Sequence, residues 1–277
     1  MSTVEDDEQD LTRKQRREQA RAERRALEEA EAAGAQRRRR LIQLGSVAGV
    51  VIVIIAVILI ATSGGGGGSK LPASNANAKQ APAVKEVTAL LNGIPQNGNT
   101  LGSPKAPVTL VYYGDLECPI CKDFSLGALP TLIQKYVRTG KLRIEYRNLE
   151  TATREPETFR TQQIAALAAG KQQKGWYYIE LFYHQQGEEN TEYVTEQYLQ
   201  TLAKQAGLNL TSWTAARSEP EFQNTLTSDA QAANNAGFTG TPSFQIGKTG
   251  GAPQKLDYSS LSDPAGFEAA IEKLLKN

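Results

Sequence analysis

Cys118 and Cys121 are the only cysteines in a chain of 277 residues. On a helix their spacing is one turn, which lets the two sulfurs close a disulfide or lets one engage a visiting thiol while the other waits. Two carboxylates precede them in the run Asp115-Leu116-Glu117-Cys118-Pro119-Ile120-Cys121. Negative charge at Asp115 and Glu117 opposes ionisation of Cys118, and a partly buried carboxylate is also a candidate to relay a proton to or from Cys121. The plainer reading makes one a helix-start residue and the other a solvated side chain.

Metal capture is the main competing use of such a pair. A structural zinc site needs four Cys or His ligands, and this chain offers two cysteines and the single His184. No metal is therefore assigned, although two thiolates would accept soft Cu(I), which leaves a binding or copper-carrying module open as an alternative. No phosphate loop, dinucleotide fingerprint or Ser/His/Asp set is present, so no cofactor is expected. The net charge of +1 gives no reason to expect nucleic acid.

The elements around the pair decide what its thiols can do. Residues 107–114, Pro-Val-Thr-Leu-Val-Tyr-Tyr-Gly, read as a buried strand that delivers the chain to the cysteines. A helix follows from Pro119 to Arg138 with Leu126, Leu129, Leu132, Ile133, Tyr136 and Val137 on one side, and Pro130 is expected to kink it. Residues 142–146 form a second strand, completing a βαβ beginning. Cys118 then sits at a helix N-terminus, where free backbone N–H groups and the dipole favour the thiolate, and Cys121 lies one turn further in. Position assigns the roles: Cys118 meets the substrate and Cys121 resolves.

The run GDLECPICKDF, the entry strand Ala106-Pro107-Val108-Thr109-Leu110 and the distant Gly240-Thr241-Pro242-Ser243-Phe244 together resemble the DsbA-like thioredoxin-fold family, in its membrane-anchored extracytoplasmic form. The likeness covers roughly 84–276. It implies an α/β thioredoxin fold with an inserted helical domain, a cis Pro242 facing the cysteines, and a substrate site that includes Pro119, Ile120 and the Thr241 backbone, which would pair with an extended segment. The family's strongly oxidising members carry a histidine between the cysteines; here Pro119 and Ile120 stand there, and that cation is missing. The activity implied is thiol-disulfide exchange on unfolded or partly folded secreted proteins, with a membrane redox partner that reoxidises the pair. A reductase or isomerase of the same fold, such as one serving cytochrome maturation, is the alternative.

The pattern of the remaining chain is consistent with an insertion. Helices are expected at about 157–173, 176–185, 195–206, 211–217 and 220–236, an inserted domain of roughly 154–236 bounded by Gly, Pro and Asn. Trp176, Tyr177, Tyr178, Leu181, Phe182 and Tyr183 read as the core of this cap, with a peptide-binding surface as the lesser reading. His184 reads as a surface or interface residue, and Arg147 and Asn148 as rim residues. Strands at 243–246 and 254–258 and an amphipathic helix at 263–276 close the domain, which runs from 84 to 277 after a short helix over 84–91.

Upstream, 41–62 carries no charge and is long enough for one transmembrane helix. It exceeds a signal-peptide core and is preceded by forty residues, which favours a retained anchor over a cleaved leader. Arg37 to Arg40 abut its start, so residues 1–40, a charged arm, are expected in the cytoplasm and everything beyond the span outside the cell membrane, where disulfides persist. The arm reads as a soluble topogenic extension or as a surface for partners or anionic lipid. Residues 63–83, rich in Gly, Ser, Ala, Asn and Pro, read as a flexible linker.

Overall fold

The apolar run after Pro107 becomes the central strand of a six-stranded sheet. A computed structural model describes residues 76–276, so the expected arm at 1–40, the apolar span at 41–62 and most of the linker lie outside the described residues. Among the described residues, no helix is long and apolar enough to cross a membrane. In chain order the elements are α1 (Ala76–Leu91), β1 (Gln96–Asn97), β2 (Thr100–Leu101), β3 (Val108–Gly114), α2 (Pro119–Leu126), α3 (Ala128–Leu132) with a π-helical turn (Ile133–Val137), and β4 (Leu142–Asn148). Then follow α4 (Pro156–Gly170), α5 (Gly175–Gln185), α6 (Glu196–Gln205), α7 (Leu210–Ala216), α8 (Pro220–Asn235), β5 (Ser243–Lys248), β6 (Gln254–Lys255) and α9 (Ala265–Lys276). Helices α4 to α8 are the insertion, lying between β4 and β5 in a thioredoxin-like α/β fold.

The sheet order is β1-β2-β4-β3-β5-β6. Every residue of β3 is buried because both faces of the strand are covered. Alternation sends Leu110 and Tyr112 into the main core, and Val111 and Tyr113 into a smaller cluster with Leu149, Ala233 and Phe238. Tyr112 anchors the first face, with Phe124 at 5.0 Å, Tyr146 at 5.1 Å and Phe244 at 5.3 Å between ring centroids. Register carries the functional consequence. Parallel pairing sets Gly114 beside Asn148, and antiparallel pairing sets Tyr113 beside Ser243. The chain leaving β3, the chain leaving β4 and the chain entering β5 therefore meet at one edge.

Four expectations are corrected. The long helix after the cysteines breaks at Gly127, before Pro130, and resumes as α3 with Pro130 in its first turn, where a missing N–H costs little. A Cβ at Gly127 would lie 2.6 Å from the Asp123 carbonyl oxygen and 2.7 Å from that of Leu261. Gly127→Ala is accordingly expected to cost about 2 kcal/mol or more in urea unfolding, since the clash is with backbone. Second, residues 76–83 of the expected linker are helical, as the alanines there favour. Third, the stretch after α1 forms a hairpin of β1 and β2, turning at Gly98-Asn99. Fourth, β6 spans only two residues. The aromatics of α5 are core: Trp176, Tyr178, Phe182 and Tyr183 are fully buried.

Candidate active site

Cys118 is the N-cap of α2. Its backbone is extended, at φ −68° and ψ 117°, Pro119 takes the first helical position, and the Cys118 sulfur accepts the Cys121 N–H at 3.4 Å. A side-chain oxygen usually holds this place. A sulfur here receives a free backbone donor and the positive end of the helix dipole, both of which favour the thiolate. Both thiols are free. Cys118 retains 4% exposure while Cys121 has none, and Pro119 and Ile120 between them are open to solvent, Ile120 by 50%.

The Thr241–Pro242 peptide is cis and stands against this pair: the Cys118 thiol donates to the Thr241 carbonyl at 3.4 Å. Tyr258 donates its hydroxyl to the Pro242 carbonyl at 3.1 Å, bracing the loop from the far side. The electrostatic outcome is asymmetric. The Cys121 thiol beside it lowers the Cys118 pKa most; the Thr241 hydroxyl and the N–H groups of Cys121 and Ile120 add to this, and together they outweigh burial to bring it to about 7. Burial pushes Cys121 well above the usual thiol value, with the neighbouring Cys118 adding to the rise. The outer sulfur is thus the one that is ionised near neutrality, and the inner one holds its proton.

Asp115 is fully buried and its carboxylate is occupied by the chain around it. It accepts N–H groups from Glu117 (3.1 Å), Thr151 (3.1 Å), Ala152 (2.9 Å) and Thr153 (2.9 Å), the Thr153 hydroxyl (2.6 Å) and the Gln162 amide (3.4 Å). Glu117 turns to the insertion, accepting the Asn190 N–H at 3.3 Å, and burial raises its pKa. Among the described residues, no hydrogen bond joins either carboxylate to a cysteine sulfur, so a proton relay through them has no direct path.

Sequence reasoning missed the support from the insertion. Gln186, just past α5, donates to the Leu116 carbonyl at 2.7 Å and the Cys118 carbonyl at 3.1 Å. Tyr183 donates to the Asp115 carbonyl at 3.2 Å, and the hydroxyls of Tyr112 and Tyr146 lie 3.1 Å and 3.4 Å from its own. Gly114 makes room for them, since a Cβ there would lie 2.7 Å from the Tyr146 ring. Arg147 and Asn148 are structural: Arg147 pairs with Glu145 at 2.8 Å, and Asn148 donates to Asp229 of α8 at 2.6 Å. His184 is partly buried, its Nδ1 2.8 Å from the Glu180 carbonyl.

A dithiol split between a reactive helix cap and a buried partner, faced by a cis-proline loop on a thioredoxin sheet, defines a thiol-disulfide oxidoreductase. The chain belongs to the thioredoxin family, whose model, described as thioredoxin, matches residues 96–273. Among curated proteins, "Probable disulfide bond formation protein D" of Bacillus anthracis is 24% identical over 179 residues, covering 64% of this chain and 78% of that protein. "Disulfide bond formation protein D" of Bacillus subtilis is 29% identical over 109 residues, 38% of this chain and 46% of that one. Among solved structures, oxidised BdbD of Bacillus subtilis superposes with a TM-score of 0.56 at 22% identity, covering 68% of this chain and 99% of that one. Alpha-DsbA1 of Wolbachia pipientis gives 0.53 at 20% identity, covering 67% of this chain and 92% of that one. The structural likenesses speak to the fold.

Proposed function

We propose that this oxidoreductase is held to the cell membrane by the apolar span at 41–62, with its N-terminal arm in the cytoplasm and its catalytic domain outside, where it forms disulfides in unfolded or partly folded secreted proteins. The observation that carries the reading is the division between Cys118, an ionisable helix cap that keeps slight exposure beside the open Pro119 and Ile120, and Cys121, a thiol one turn further in with none. A substrate thiolate attacks the Cys118 sulfur of the Cys118–Cys121 disulfide, and Cys121 leaves and takes up a proton. A second substrate thiolate then attacks the substrate sulfur of the mixed disulfide and releases Cys118. With a pKa of about 7, Cys118 is a good leaving group for that step. Two electrons now reside on the enzyme, and a membrane redox partner removes them. In this reading Pro119, Ile120 and Thr241 touch the substrate, with Pro242 shaping the loop.

The same pKa favours a second reading. Thioredoxin, whose reactive cysteine titrates near 7, has a potential of about −270 mV, whereas DsbA, at about 3.5, lies near −120 mV. A pair at the thioredoxin end runs as a reductase or isomerase unless its partner reoxidises it faster than substrates do. The deciding measurement combines the potential of the purified domain with its redox state in cells. We expect a potential below about −200 mV and a pair that is nonetheless mostly oxidised at steady state. A pair found reduced in cells overturns the oxidase reading in favour of the reductive one.

A further inference from the structure

The cis-proline loop is held by side chains from two other stretches of chain. On one side, Thr151 Oγ1, on the loop after β4, lies 2.5 Å from Thr241 Oγ1. The backbone there is fixed, because the N–H groups of Thr151, Ala152 and Thr153 all bond to one Asp115 oxygen. On the other side, Tyr258 donates its hydroxyl to the Pro242 carbonyl at 3.1 Å. The segment that carries Tyr258 is anchored at both ends. The Leu256 N–H bonds to the Phe244 carbonyl of β5 at 2.9 Å, and the Leu261 carbonyl accepts the Ala128 N–H of α3 at 2.9 Å. The Tyr258 ring stacks on Phe267 at 5.8 Å and meets Phe244 edge-on at 5.3 Å between centroids, and both phenylalanines are buried. Packing thus fixes the ring, and the ring fixes where its hydroxyl points.

The carbonyls of the loop are each engaged. That of Gly240 accepts the Ser243 hydroxyl at 2.7 Å, that of Thr241 accepts the Cys118 thiol at 3.4 Å, and that of Pro242 accepts Tyr258. Among the described residues the Thr241 N–H meets no acceptor, which leaves it to an incoming extended segment. Pro242 follows Thr241 directly across a planar peptide, and its ring restricts φ, so few rotations separate the held carbonyl from the Thr241 backbone. A polypeptide that pairs with Thr241 needs that backbone in place, whereas a small thiol meets the sulfur alone. We propose that Tyr258 is a positioning residue for polypeptide substrates: by holding the Pro242 carbonyl it fixes where the Thr241 backbone meets an extended segment beside Cys118. The inference rests on the reading that Thr241 touches the substrate, and is independent of the net direction of electron flow.

The test is single-turnover reduction of the oxidised full chain, by a reduced, unfolded polypeptide over a range of concentrations and, separately, by dithiothreitol. Tyr258→Phe removes the hydroxyl and keeps the ring. A hydrogen bond of this kind is worth up to about tenfold in an equilibrium constant, so the polypeptide concentration at half-maximal rate is expected to rise about fivefold while the limiting rate stays within about twofold of the parent. The rate with dithiothreitol should also stay within about twofold. Tyr178→Phe is the control for lost stability, since that hydroxyl donates to the Leu199 carbonyl at 3.2 Å inside the insertion, and its removal should leave half-saturation and both rates as in the parent. A half-saturation unchanged in Tyr258→Phe, an equal fall in the polypeptide and dithiothreitol rates, or a matching rise in Tyr178→Phe overturns the proposal. An oxidised parent chain that dithiothreitol reduces and the polypeptide does not is the separate sign that the exchange reading itself has failed.

Discussion

Cys118→Ser is expected to lower disulfide transfer to a reduced, unfolded substrate by about a thousandfold or more, because a hydroxyl is neither an ionisable nucleophile near pH 7 nor able to carry a disulfide. The fold should survive the change. Serine is among the best N-cap residues, and its oxygen can accept the Cys121 N–H that the sulfur accepts now, so unfolding in urea should shift by less than about 1 kcal/mol. Loss of activity without loss of fold separates chemistry from structure. Cys121→Ala should behave differently. Its outer thiol still attacks, but no inner sulfur resolves the product, so mixed disulfides through Cys118 accumulate and can be isolated from cells. A Cys118→Ser domain that still refolds reduced substrate at the parental rate would show that the thiols do not turn over, and the binding or copper-carrying alternative would take the place of exchange.

Those two variants test what local sequence could reveal. The strand before the cysteines, the proline at the first helical position and the one-turn spacing are short-range features, and they place Cys118 at a helix end and Cys121 inside it. Five inserted helices were legible because apolar periodicity and Gly, Pro and Asn boundaries are local too. The network around the pair was not. Asp115 stands two residues before Glu117 and reads as a charge that disfavours a thiolate, whereas its carboxylate gathers donors from residues 36 to 47 positions further along the chain. Nothing in the neighbourhood of Thr151 foretells that it meets Thr241, since that contact exists only because the register of β4 and β5 against β3 brings their ends to one edge. The hairpin at Gly98-Asn99 is a different kind of omission. Its Gly-Asn turn, with glycine at the first central position, is a local signal, but its strands are two residues each and carry almost no apolar pattern.

Glu180 is likewise hidden in the sequence, as one acid in an aromatic helix. The side chain is fully buried on α5; one oxygen accepts the Ser125 hydroxyl at 2.8 Å and the other meets no donor among the described residues. Burial pushes its pKa up to about 8, only partly offset by Ser125. Ser125 lies one turn beyond Cys121 on α2, so Glu180 meets the helix that carries the cysteines through this one hydrogen bond. The linkage has a definite sign. Between the ordinary carboxyl value of 4.5 and the raised value of about 8, the folded protein holds a proton that the unfolded chain has released. The contribution of this group to stability is therefore fully present below pH 4.5 and is lost as pH rises through about 8, a span of order 5 kcal/mol. Glu180→Gln keeps the volume and an acceptor for Ser125 but cannot ionise. Relative to the parent in the same redox state, the variant is expected to gain stability steadily as pH rises, reaching a few kcal/mol by pH 8, in urea unfolding at matched ionic strength. Taking the difference between the two curves removes the titrations they share, including the raised carboxyls of Glu117 and Asp229. A difference that stays constant across the window would mean that Glu180 does not hold its proton in the folded state.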